Sequence, residues 1–130
     1  MSTLRLGSGA PWEAVVGYSR VVACGDSAWV SGTTATVDGT VVHPDDAGAQ
    51  TRVALETIAR ALSDAGFVLG DVVRTRMYVT DITQWEAIGR VHGEFFGAVR
   101  PATSMVQVAA LIDPAMLVEI EADAVRGAGA

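Results

Sequence analysis

Only two segments of this chain carry apolar residues at helical spacing. In the first, Ala54, Leu55, Ile58, Ala61, Leu62 and Ala65 recur three and four positions apart, which places them on one stripe of a helix running to about Ala65. Asp45 or Asp46 can cap its start, and Gly66 suits its end. The second begins at Thr83-Gln84-Trp85-Glu86, which reads as a capping box. It continues through Ile88, Val91, Phe95 and Phe96 until Arg100-Pro101 ends it. Elsewhere the pattern has a period of two. Tyr18 to Cys24 and Ala28 to Gly32 read as a hairpin about Gly25-Asp26, and Asp38-Gly39 marks a second turn. Asp71 to Thr80 reads as a strand with Val73, Thr75, Met77 and Val79 on one face and Arg74, Arg76 and Tyr78 on the other. Ser104 to Ala110 and Leu117 to Val125 complete the set. Two helices cannot cover both faces of five or six strands. The expectation is an α+β fold with a mixed five- to six-stranded sheet and both helices on one face. The bare face then needs a partner, which a symmetric oligomer supplies.

The bulk properties exclude several classes. A length of 130 residues fits one domain, with half the residues hydrophobic and 18% charged, too apolar for a disordered chain. Mean hydropathy is +0.34, which agrees with apolar surface buried between subunits. The formal net charge is −6, so nucleic acid is not expected as a partner. All nine basic residues are arginine, which removes Schiff-base lysine chemistry. The single cysteine, Cys24, cannot form an intrachain disulfide, and a cytoplasmic location is expected. No apolar run reaches the roughly 20 residues of a membrane helix, and the first residues do not resemble a secretory signal. His43, His92 and Cys24 lack metal-ligand spacing, so no metal or other cofactor is expected. Gly7-Ser8-Gly9-Ala10 lacks the lysine of a phosphate loop, and Trp12, Trp29 and Trp85 read as core or interface residues.

Several blocks then agree with one family, in order, over about residues 15–126. Arg100-Pro101-Ala102-Thr103-Ser104-Met105-Val106-Gln107-Val108-Ala109-Ala110-Leu111 followed by Val118-Glu119-Ile120-Glu121-Ala122 resembles the signature of the Rid family. That family is also known as YjgF, endoribonuclease L-PSP or reactive-intermediate imine deaminase. Gly17-Tyr18-Ser19-Arg20, Val30-Ser31-Gly32, Asp71-Val72-Val73, Tyr78-Val79-Thr80-Asp81 and Glu94-Phe95-Phe96 resemble further family segments. The resemblance implies one Rid-like domain over 1–130, with 127–130 a frayed tail. It also implies a chorismate-mutase-like homotrimer whose bare sheet faces turn inward, with small-molecule clefts between subunits.

Carried over position by position, the resemblance makes Glu119 the residue that positions water against an imine carbon. Tyr18, Ser31 and Gly32 line the cleft, and Thr103 and Met105 shape it. Thr103 stands where imine-deaminating members have an arginine that holds the substrate carboxylate. Losing two charge-assisted hydrogen bonds costs roughly 3–6 kcal/mol, about 10²–10⁴-fold in affinity, and one neutral hydroxyl does not restore them. Arg100 and Arg76 are the candidate substitutes. The expected function is therefore deamination or hydrolysis of a reactive imine, enamine or related carbon–nitrogen metabolite with altered specificity, and weak activity on amino-acid-derived imines. A ligand-binding or regulatory trimer is the alternative, and RNA cleavage is the reading the charge least supports.

Overall fold

The computed structural model describes residues 2–127; residues 128–130 of the expected tail lie outside the described residues. Eight strands and two α-helices follow in the order β1 (Thr3–Leu6), β2 (Val21–Cys24), β3 (Ser27–Thr33), β4 (Thr36–Val37), β5 (Thr40–Val41), α1 (Ala47–Asp64), β6 (Val72–Val79), α2 (Trp85–Phe96), β7 (Ala102–Gln107) and β8 (Val118–Val125). Six of these strands form one mixed sheet in the order β1-β2-β3-β8-β6-β7, with β4 and β5 a separate small hairpin. Among the described residues only the β6–β7 pair is parallel, because α2 carries the chain back between them. The Asp38-Gly39 turn joins β4 to β5, with φ of 50° and 80°, the left-handed pair that a two-residue hairpin demands.

Helix α1 starts where the sequence places it. Asp46 accepts a hydrogen bond from the Ala49 amide at 3.0 Å, and Gly66 with φ 86° ends the helix. The α1 stripe packs on β3 and β8 and against α2. The core unites Leu55, Ile58 and Leu62 of α1 with Ile88 and Phe96 of α2 and with the inward residues of the sheet. Along β8, Val118, Ile120, Ala122 and Ala124 are buried, and Glu119, Glu121 and Asp123 alternate with them. The helices cover one face, and the alternate residues of the central strands form an open face.

Four local expectations are corrected. Tyr18 lies outside the strand: residues 13–17 form a wide helical turn, and the extended chain pairs only from Val21. The N-terminal segment adds an unexpected edge strand, pairing Thr3 to Leu6 with Cys24 to Val21. Val73 is exposed rather than inward, because a register irregularity between Val72 and Arg74 shifts the alternation. Thr83 is not the cap of α2. Asp81 accepts from the Thr83 amide at 3.0 Å and starts a short tight turn that runs into the helix, while Glu86 pairs with Arg90.

Gln50 fixes the approach to β8. It is fully buried, and its amide donates to the carbonyls of Val42 and Ala115 at 3.1 and 2.8 Å and accepts from the Leu117 amide at 2.8 Å. One side chain thus satisfies three loop backbone groups that burial would otherwise leave unpaired. No helix among the described residues is long and apolar enough to cross a membrane.

Candidate functional site

Glu119 sits on the open face of β8, opposite Tyr78 of β6. On its other side the β3–β8 register breaks between Val30 and Thr33, at Ser31-Gly32. The irregularity opens room for the glutamate. A Cβ added at Gly32 would stand 2.6 Å from Glu119 Oε2 and 2.9 Å from its Cδ, so the absence of a side chain at residue 32 is what lets the carboxylate lie across the strand. Burial and the neighbouring charge of Glu121 push the Glu119 carboxyl above its ordinary value, and the Arg20 guanidinium partly offsets them. A partly desolvated carboxyl of this kind holds a proton more readily than an exposed one, which suits it to proton transfer.

Arg20 completes this corner, and the sequence reading did not single it out. Its guanidinium donates to the Gly32 carbonyl at 2.9 Å and to Thr33 Oγ1 at 3.2 Å, and it lies 5.9 Å from the Tyr18 ring centre. The β2–β3 register, with Val21 paired to Val30, sets Arg20 opposite Ser31, whose amide donates to the Arg20 carbonyl at 3.0 Å, and no local sequence signal announces the side-chain contact with Gly32. The Ser31 hydroxyl donates to the Ser19 carbonyl at 2.6 Å and ties the segment carrying Tyr18 to β3. Tyr18 and Ser31 line an open groove of about 540 Å³ with Arg5, Glu13, Ser19 and Val22. Of the residues singled out in the sequence, the fold therefore gathers Glu119, Gly32, Ser31 and Tyr18 into one region.

Thr103 and Met105 lie elsewhere within the chain. β7 is the edge strand next to β6. Met105 packs against the core from the helix side. Thr103 points the same way: its hydroxyl is 2.7 Å from that of buried Thr75, which is 2.9 Å from His92 Nε2 on α2. Burial holds the His92 pKa below its ordinary value.

The two arginines named as substitutes are already engaged. Arg76 pairs with Asp123 at 3.2 Å and approaches Glu121 at 3.9 Å. Exposed Arg100 donates to the Gly97 carbonyl at 3.1 Å. Glu121 accepts from the Tyr78 hydroxyl at 3.0 Å; desolvation, followed by this bond, raises the tyrosine pKa. His43 and His92 are not brought together with acids or Cys24 into a metal site. No group of three or more histidine, cysteine, aspartate or glutamate side chains among the described residues could hold a metal ion.

Comparison with known proteins agrees with this architecture. The Endoribonuclease L-PSP family profile matches residues 8–126. The crystal structure of Rv2704 from Mycobacterium tuberculosis, a member of the YjgF/YER057c/UK114 family, superposes with a TM-score of 0.88 at 52% identity, covering 95% of this chain and 99% of that one. The uncharacterized protein SCO2049 of Streptomyces coelicolor is 40% identical over 95% of this chain and 92% of its own length. The 3-aminoacrylate deaminase RutC of Acinetobacter baylyi is 46% identical over 80 residues, 62% of this chain and 63% of RutC. With the sheet order, the two helices on one face and the profile match in agreement, the chain belongs to the YjgF family, the family of Endoribonuclease L-PSP.

Proposed function

We propose that this protein hydrolyses a reactive enamine or imine, releasing ammonia, in a cleft that a neighbouring subunit completes. The observation that carries this reading is Glu119 itself: a partly desolvated carboxyl with a raised pKa, laid against Gly32 beside Arg20 on the open face of the sheet. The likeness to RutC supports deaminase-type chemistry for the family. In the proposed step, Glu119 takes a proton from water as the water oxygen bonds to the imine carbon. That proton passes to nitrogen and gives a carbinolamine; Glu119 then carries the carbinolamine hydroxyl proton to the same nitrogen as the carbon–nitrogen bond breaks, and a carbonyl compound and ammonia leave. Ser31 and Tyr18 orient the substrate from the groove they line.

The cleft requires a second chain. The open face and the edge strand β7 are unpaired within one chain, and a homotrimer burying them brings the β7 edge of one subunit towards the Glu119 region of the next. Catalysis needs no metal in this scheme, and net charge −6 disfavours RNA as substrate. The engagement of Arg76 by two carboxylates leaves the open face without a free carboxylate clamp there, which also fits a trimer that binds ligand without turnover.

The test is hydrolysis of the stable enamine 3-aminocrotonamide to acetoacetamide and ammonia, followed with wild-type protein and with Glu119→Gln. The variant should keep its melting temperature and its mass by light scattering and lose at least about tenfold in rate, the scale of general acid–base assistance. Wild-type turnover in Glu119→Gln would overturn the mechanism. A wild-type protein that binds acetoacetamide yet converts nothing would favour the binding role.

A further inference from the structure

Side chains serve the backbone at the break between β3 and β8. The Thr33 hydroxyl donates to the Ser31 carbonyl at 2.7 Å. Arg20 donates to the Gly32 carbonyl at 2.9 Å and to the Thr33 oxygen at 3.2 Å. The guanidinium is thus fixed at two points, beside the glycine over which the Glu119 carboxylate lies.

Nothing in this bonding needs a charge. Both acceptors are neutral, and the five ion pairs among the described residues leave Arg20 out. The arrangement carries a cost, because Arg20 Nε is buried with no partner and a partly desolvated cation lacks a direct counter-ion. A neutral amide donor could serve the Gly32 carbonyl without either penalty. What accounts for a fixed charge at this place is its neighbour. Burial and Glu121 drive the Glu119 carboxyl towards the neutral acid, and Arg20 draws it back.

The other groups around Glu119 do not supply that charge. Tyr78 stands opposite on β6, and its hydroxyl donates to Glu121 at 3.0 Å. Arg76, opposite Glu121, is engaged by Asp123 at 3.2 Å and by Glu121 at 3.9 Å. On β3, Ser31, Gly32 and Thr33 are uncharged. Around Arg20 itself, Tyr18 presents its ring at 5.9 Å. Glu13 of the groove also feels the guanidinium, and its carboxylate is held by the Ser8 amide at 2.9 Å.

We propose that Arg20 is a positioning residue for Glu119: its guanidinium, pinned across the strand break, supplies the fixed positive charge that keeps the neighbouring carboxyl in its ionised, water-activating form. Arg20 touches no substrate in this scheme. The inference rests on the proposed function of Glu119 and deepens it by naming the group that sets the pH range in which the site works.

The test reads Glu119 directly, without turnover. Carboxyl carbon NMR on the intact oligomer, with labelled glutamate, follows the Glu119 signal, identified by its loss in Glu119→Gln. Arg20→Gln keeps a donor for the Gly32 carbonyl and loses the charge. Its Glu119 titration midpoint should rise by about half a pH unit or more, the scale of one charge seen through a partly screened surface. Arg20→Lys keeps the charge and should hold the midpoint near that of the wild type, a rescue that hydrogen bonding alone would not give. Removing the cation favours the protonated acid. The ascending limb of kcat/KM for 3-aminocrotonamide should therefore move to higher pH in Arg20→Gln and keep its position in Arg20→Lys. An unmoved midpoint in Arg20→Gln, or an equal rise in Arg20→Lys, would overturn the proposal. A protein that hydrolyses no enamine would remove the proposed reaction and leave the titration result standing, so the two failures are told apart.

Discussion

Glu119 and Gly32 act as a pair. The glutamate needs the space over residue 32, and the clash made by a methyl group there falls on Oε2 and Cδ, the far end of a flexible side chain. Gly32→Ala is therefore expected to cost about 1 kcal/mol or less in stability while turning the carboxylate away, with the proposed deaminase activity falling about tenfold or more. Thermal melting and initial rates measured on one preparation check both halves; full activity in the alanine variant would separate the glycine from the site. The pairing was half legible. Ser31-Gly32 and Glu119 stood in recognisable sequence blocks, but their contact depends on the register break between Val30 and Thr33. Arg20 was not legible at all, since its partners Gly32 and Thr33 lie across a hairpin. The side chain of Thr103 could be named from sequence, yet its partners Thr75 and His92 come from β6 and α2, and only the parallel β6–β7 register brings Thr75 opposite Thr103.

At the level of elements, helix α1 and strand β8 were readable because each repeats one pattern for many residues. The α1 stripe and the inward residues of β8 are buried as their periodicity requires. Single-residue signals served less well. Thr83 looked like a cap, but Asp81 two residues earlier takes that role and binds the Thr83 hydroxyl as well as its amide. The strand β1 escaped notice because Thr3 to Leu6 is short and has a single neighbour, β2. The post that holds β8 in place is Gln50, an unremarkable polar residue in the α1 pattern. Replacing it with leucine leaves the Val42 and Ala115 carbonyls and the Leu117 amide without partners. With about 1–3 kcal/mol for each unsatisfied buried group that water cannot reach, Gln50→Leu should lower stability by several kcal/mol in urea unfolding. A loss under about 0.5 kcal/mol would show that water reaches those groups.

For the whole molecule, two helices against a six-stranded sheet leave one sheet face open, the face that the proposed trimer covers. The open face carries the Arg76–Asp123 pair and the Tyr78–Glu121 bond, and exposed Trp29 and Val106 add apolar area on β3 and the β7 edge. Trp12, Val15 and Val16 are also exposed in the turn that leads to Tyr18, beside the groove. Surface of this kind is covered by a partner in stable proteins, and light scattering should report three chains of 13.5 kDa moving as one particle; a monomer at micromolar concentration would remove the cleft. The central claim is that the ionised Glu119 carboxylate activates water. The pH dependence of kcat/KM for 3-aminocrotonamide tests it most directly. The base form is the active one, so activity falls as pH drops through the Glu119 pKa, and burial together with Glu121 places that pKa above the ordinary 4.5. The wild type should therefore show an ascending limb centred above 4.5 that Glu119→Gln lacks, and the same limb surviving in the glutamine variant would contradict the account.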